Sequence, residues 1–183
     1  MKNMLTETIR HQTDEQIIDA TLTLLQSQSY DQLAVTEITR MAGVSRMAFY
    51  RHFGTKEAVI GAIVTQLTND FTNEAQTLPR DAKVVAEAFF EFVQANAIAI
   101  AVLLNAGLRE QFYPPLRDVL HALYSDILRE NASKAVAVDY VSDFTASGML
   151  AIAIRWISTG MHESVSDLAQ IAKEMTDAQN KYL

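Results

Sequence analysis

A chain of 183 residues, 49% of them hydrophobic and 20% charged, can bury a substantial core and does not have the composition of a disordered segment. It contains no cysteine, which excludes disulfides, thiolate metal sites and cysteine nucleophiles. Its net charge of −7 argues against nucleic-acid binding over the whole surface, so any such function must rest on a local basic face.

In chain order, Met1 to Arg10 has no apolar signal-like run. Thr13 with Gln16 has the spacing of a capping box, and Ile17, Ile18, Leu22, Leu24 and Leu25 form a helical apolar stripe to about Gln28. Ser29-Tyr30-Asp31 reads as a turn. A short helix is predicted over about 36–41, broken by Gly43. Ser45 can cap a second short helix over about 46–52. Gly54-Thr55 then breaks the chain, and Thr55 can cap a long helix to about Thr77, ended by Leu78-Pro79.

Beyond Asp81 the chain is rich in alanine and phenylalanine. A helix is predicted over about 81–104, interrupted near Asn105-Gly107. Pro114-Pro115 suits the first turn of a helix running to about Glu130. Two further helices, about 137–160 and 163–180, meet near Gly160-Met161-His162. The uncharged run Phe92 to Leu108 falls short of the roughly 20 apolar residues of a membrane span and reads as a buried helix. The fold class is all-α, and no membrane association is expected.

Two short helices joined by a tight turn lie between Ala34 and Phe53. Small Ala42 allows close helix approach, and Gly43 can take the positive φ the turn needs. Ile38, Val44, Phe49 and Phe53 are the apolar positions that would hold the pair together. Ser45, Arg46, Met47, Tyr50, Arg51 and His52 are left mostly outward. From Thr36 to Lys56 the bases Arg40, Arg46, Arg51 and Lys56 face a single acid, Glu37, so basic charge is concentrated here inside an acidic chain. A helix start rich in basic and hydrogen-bonding side chains fits a DNA major groove.

The run Glu37-Ile38, Ala42 to Arg46 and Phe49 to Ala58 resembles the N-terminal domain of the TetR family of transcriptional regulators, over roughly residues 12–60. The tail Phe144, Gly148, Trp156-Ile157 and Gly160 also resembles C-terminal halves in that family. The resemblance implies a helix-turn-helix DNA-binding domain over 1–55 and a helical effector-binding and dimerisation domain over 56–183. It places Ser45, Arg46 and Met47 where the recognition helix meets bases and phosphates. Tyr50, His52, Lys56 and Thr36 fall at positions that usually contact the DNA backbone, and Arg51 is a further candidate. Arg46 can pair with guanine and Met47 can pack on a thymine methyl. Two positions depart from the family pattern: Ala34 stands where a capping serine or threonine is common, and Thr39 replaces the usual alanine beside the turn.

The implied function is a sequence-specific regulator, a ligand-responsive repressor acting as a cytoplasmic homodimer on a palindromic double-stranded operator. The alternative is a protein-partner-dependent activator of the same fold. Residues 144–154 carry no charge, so that helix needs burial on nearly all sides. Ala146, Ser147, Gly148, Ala151 and Ala153 would let a partner helix approach. Phe89, Phe90, Phe92, Phe112, Tyr113, Tyr124, Met149 and Trp156 are candidates to line an effector cavity, and the Asn105-Gly107 break is expected to be a flexible element beside it. The histidines His11, His52, His121 and His162 have no metal-ligand spacing. Glu87 and Glu91 read as a solvated stripe, and Ser158 with His162 lacks an orienting acid. No cofactor and no enzymatic activity are expected.

Overall fold

The computed structural model describes residues 2–129 and 135–179. Among these residues the chain is all-helical: α1 (Lys2–Leu25), α2 (Val35–Ala42), α3 (Arg46–His52), α4 (Lys56–Ala75), α5 (Ala82–Ala95), α6 (Ala97–Asn105), α7 (Arg109–Arg129), α8 (Ala135–Ser158) and α9 (Val165–Asp177), with one 3₁₀ turn at Tyr30–Gln32. Two compact units result. One is built from the chain up to Gln66 together with Val102–Gln111, the other from Leu67–Ala101 and the chain from Phe112 onward.

The first unit closes around Ile17, Ala20 and Leu25 of α1, Ile38 of α2, Phe49 of α3, and Val59, Ile60 and Ile63 of α4, all buried. Thr13 and Gln16 lie inside α1, not at its start as their spacing predicted. A capping spacing marks a helix start only where the preceding residues leave the helix, and here they continue it. The turn after α2 follows its glycine. Gly43 has φ +67°, its N–H bonds to the Arg40 carbonyl, and the Val44 N–H bonds back to the Thr39 carbonyl at 3.1 Å. These are the two bonds of a Schellman motif, and they satisfy carbonyls that the end of α2 would leave open. Ser45 then caps α3, its hydroxyl accepting from Ala48 N–H at 3.0 Å, and Thr55 Oγ1 accepts from Ala58 N–H in the first turn of α4.

Ala34 is the residue before α2 and has no side-chain acceptor to offer. Glu37 compensates in part: its carboxylate reaches back to accept from the Ala34 N–H at 3.2 Å. This is the half of a capping box that needs no hydroxyl.

The second unit is organised by aromatic rings. Phe71 meets Phe92 at 5.2 Å and Phe89 at 5.6 Å between centroids, Phe89 meets Phe90 at 5.3 Å, and Phe90 stands edge-on to Trp156 at 6.0 Å. Such edge and tilted contacts add to what burial alone contributes. The polar tips are satisfied: Trp156 Nε1 donates to the Glu163 carbonyl, and Tyr124 OH donates to the Ala82 carbonyl.

Two predicted boundaries move. The helix expected over about 81–104 breaks at Asn96, whose side-chain amide donates to the Phe92 carbonyl at 2.9 Å and competes with the backbone ladder. Pro114 and Pro115 lie inside α7, because the helix already starts at Arg109 on the turn that follows Gly107. The junction of α8 and α9 is where the glycine put it. Gly160 and Met161 both have positive φ, and Met161 N–H bonds to the Trp156 carbonyl. The expected ends at Glu130 and residue 180 lie outside the described residues. Residues Val136–Ser158 are long and apolar enough to cross a membrane. Its buried face, which includes Ala146, Met149, Leu150, Ala153 and Trp156, belongs to the core of the second unit.

A methyl group at Gly43 would meet no atom within 4 Å, so the cost of Gly43→Ala is conformational. We expect a loss of about 1 kcal/mol in urea denaturation, with Gly43→Asn losing less. An unchanged midpoint for Gly43→Ala would contradict the role given to this turn.

Candidate DNA interface

α3 has seven residues, with Phe49 fully buried and set against Phe53 and Tyr50. With Phe49 facing inward, Ser45, Arg46, Met47, Tyr50 and Arg51 fall on the exposed side. Met47 is 79% exposed, so its thioether is available to a partner surface. Arg40 and Met41 of α2 are also exposed, as is Thr36 near its start. The exposed side of α2 and α3 therefore combines three guanidinium groups, a phenol, two hydroxyls and two thioethers. Val44 and Phe53 are half-buried, so Ile38 and Phe49 supply the deep anchors of the pair.

Two predicted backbone contacts are turned elsewhere. The His52 side chain is 7% accessible, and its Nδ1 lies 2.6 Å from Asp14 Oδ1 on α1. The Lys56 ammonium donates to the carbonyls of Tyr30 at 2.9 Å and Leu33 at 3.1 Å, and sits 4.3 Å from the centre of the Tyr30 ring. It thereby ties the turn between α1 and α2 to the start of α4. Sequence spacing gave no sign of either arrangement, because the partners lie 38, 26 and 23 residues away.

Tyr30 is the junction of this region. Its hydroxyl donates to Glu57 at 2.8 Å, its ring lies under Lys56, and its backbone N–H donates to the Ala106 carbonyl at 3.3 Å. The Asn105-Gly107 break, expected beside an effector cavity, thus lies in the first unit. Burial and the Glu57 bond both push the Tyr30 phenol pKa up. The same bond, followed by Glu57's own backbone N–H and the Thr55 hydroxyl, holds the Glu57 carboxyl below its ordinary range.

Of the residues proposed for an effector cavity, Phe89, Phe92, Phe112, Tyr124, Met149 and Trp156 are buried in the second unit and Tyr113 is half-buried. A groove of about 120 Å³ runs between α8 and α9, lined among others by Phe144, Thr145, Gly148, Met149 and Met175. Met149 is the residue common to both sets. Among the described residues no cluster of metal-binding side chains occurs. Ser158 Oγ donates to the Arg155 carbonyl, its own helix's backbone.

Residues 17–63 match the family profile described as bacterial regulatory proteins, tetR family, and residues 80–178 match a transcriptional regulator C-terminal region of the same family. The chain belongs to the TetR family. It is a DNA-binding transcriptional regulator and not an enzyme. It is 33% identical over 91 residues to the A-factor receptor protein of Streptomyces griseus, across 49% of this chain and 33% of that protein. It is 46% identical over 48 residues to an uncharacterised HTH-type transcriptional regulator of Bacillus subtilis (strain 168), across 26% of this chain and 22% of that protein. The matched stretches thus span a third or less of these relatives' lengths. A TetR transcriptional regulator from Streptococcus agalactiae 2603V shares the fold with a TM-score of 0.73 at 21% identity, covering 95% of this chain and 98% of that one. The dihydroxyacetone kinase operon activator DhaS shares it with a TM-score of 0.66 at 19% identity, covering 92% and 96%. The helix-turn-helix of this TetR-family chain is therefore the two-helix unit α2–α3 described above.

A folded-state carboxyl held below its unfolded pKa contributes stability above the unfolded pKa and loses it as pH falls through the folded one. The stability difference between the native protein and Tyr30→Phe is therefore expected to be present at neutral pH and to shrink on acidification through the carboxylate range. Thermal melts across pH 7 to 3 check this, and a difference that grows on acidification would refute it.

Proposed function

We propose that this TetR-family regulator is a ligand-responsive repressor that binds a near-palindromic operator as a homodimer, in the cytoplasm. The observation that carries the DNA-reading part is the exposed side of α3. Ser45, Arg46, Met47, Tyr50 and Arg51 project from a helix that Phe49 anchors from behind. Arg46 and Met47, in its first turn, are assigned in this proposal to base edges in the major groove. Thr36, Tyr50 and Arg51 are assigned to phosphates, which fix register without reading sequence. Lys56 and His52 join them only if they exchange their present partners for phosphate.

The dimer is supported by the outer side of α8 and α9. Val136, Tyr140 and Phe144 recur at four-residue spacing on α8 and are 71%, 74% and 65% exposed, and Ile171 and Met175 on α9 are exposed too. Gly148 and Ala151 continue that side of α8, and a Cβ at Gly148 would meet nothing within 4 Å. A large apolar face with a small-residue stretch suits a second pair of helices packed across a two-fold axis. Such a dimer presents two copies of α3 to half-sites about 34–36 Å apart per helical turn. An effector held in the second unit would then act through α4, whose first half belongs to the reading unit. By linkage, effector and operator weaken each other by the same factor.

The same apolar face also fits a protein partner, as an activator of this fold would use, and the fold is shared with an operon activator. Solution size decides between the two. A dimer at micromolar concentration that Phe144→Glu converts to monomer supports the homodimer. A monomeric native protein overturns it.

Binding to DNA flanking the coding region, across a salt series, tests the DNA-reading proposal: one saturable site and a steep fall of affinity with salt are expected. If Met47 packs on a thymine methyl, replacing that thymine by uracil lowers affinity about fourfold per half-site. Met47→Ala should abolish the difference between the two bases. Equal uracil sensitivity in native protein and variant would remove Met47 from base reading.

A further inference from the structure

We infer that Asp14 is a positioning residue for DNA reading: through the His52 ring it holds the C-terminal end of α3 and so sets where Arg46, Met47 and Tyr50 stand. This rests on the DNA-reading assignment of α3 made above.

Three observations carry it. His52 is the last residue of α3, and its nearly inaccessible ring meets an α1 carboxylate at 2.6 Å. An ionised carboxylate only accepts, so Nδ1 donates and the ring is fixed in one tautomer and one orientation. Second, the Ser45 cap holds the start of α3 and buried Phe49 holds its middle. Both lie at or before the fourth residue of this two-turn helix, and the Asp14 contact adds a polar tie at its last residue, where it limits roll and lift of the far end. Third, Asp14 stands on a helix that is itself fixed. One to two turns further along α1, Ile17, Ala20 and Thr21 are buried, and the Thr21 hydroxyl is bonded to the Ile17 carbonyl at 2.8 Å.

Groups that read base edges tolerate only about 0.5 Å or 10–20° of misplacement. A carboxylate that touches no DNA can therefore control affinity by setting the roll of α3. Asp14 was not singled out by the sequence because nothing local to it signals function.

The test is operator affinity at fixed salt for Asp14→Ala, Asp14→Asn, His52→Ala and the Asp14→Ala/His52→Ala pair, at a temperature where circular dichroism shows each fully folded. Asp14→Ala is expected to lose about tenfold in affinity. Asp14→Asn keeps a carbonyl acceptor for Nδ1–H and should recover most of it. The double variant should bind no worse than His52→Ala alone, because the two residues act as one unit. Nitrogen NMR of the imidazole should show one fixed tautomer in the native protein and a mixture in Asp14→Ala. Thr21→Ala is the control for stability: it loses a buried hydrogen bond on the same helix and should melt earlier while binding DNA normally. Native affinity in Asp14→Ala, or an equal affinity loss in Thr21→Ala, would overturn the inference. Failure of the native protein to bind any operator would instead overturn the DNA-reading proposal on which it rests.

Discussion

A seven-residue helix does not hold its shape in water, because nucleating a helix costs more than two turns of hydrogen bonds return. The recognition helix α3 therefore takes its conformation from its surroundings. The Ser45 hydroxyl satisfies an N–H at its start, Phe49 fills the core beneath it, and His52 meets α1 at its end. The exposed side chains of α3 are oriented as accurately as these three contacts allow. A long, self-sufficient helix would not need them, but it also could not be re-aimed by small changes in what surrounds it.

The local punctuation of the fold was readable in the sequence because each signal acts within a few residues. Gly43 at the turn, Ser45 and Thr55 as caps and the break near Gly160 all rest on chemistry between a residue and its near neighbours, and all occur where expected. Signals that depend on which of two local solutions wins were read less well. The Thr13–Gln16 spacing is compatible with a cap and with a helix interior, and the continuation of α1 toward Lys2 decides for the interior. Pro114-Pro115 is tolerated within α7 because only two backbone bonds near its beginning are forgone. Asn96 looked like an ordinary polar residue in an apolar run, and its amide bond to Phe92 ends α5.

Within the candidate site, outward and inward positions on α3 followed from periodicity around Phe49. The occupations of His52 and Lys56 did not, because they depend on Asp14, Tyr30 and Leu33, which the fold brings up from distant parts of the chain. The interior of the second unit shows a related limit. Its aromatic residues were recognisable as apolar, but whether a ring packs on another ring or borders a cavity depends on three-dimensional neighbours. Ser125, Ser142 and Thr145 add to this, since their buried hydroxyls meet no hydrogen-bond partner among the described residues.

The reading unit is not continuous along the chain. Val102, Leu103, Ala106 and Leu108 are buried and belong to it, and the Ala106 carbonyl accepts from Tyr30 some 76 residues earlier, counting from 30 to 106. During synthesis the first 66 residues leave the ribosome with part of their core still untranslated. The DNA-reading head can then complete itself only after the chain has passed through α5, α6 and the turn that follows. A fragment ending after the helix-turn-helix would expose apolar surface that the intact protein covers, so excising that motif by its sequence limits would not yield a faithful miniature of the reader.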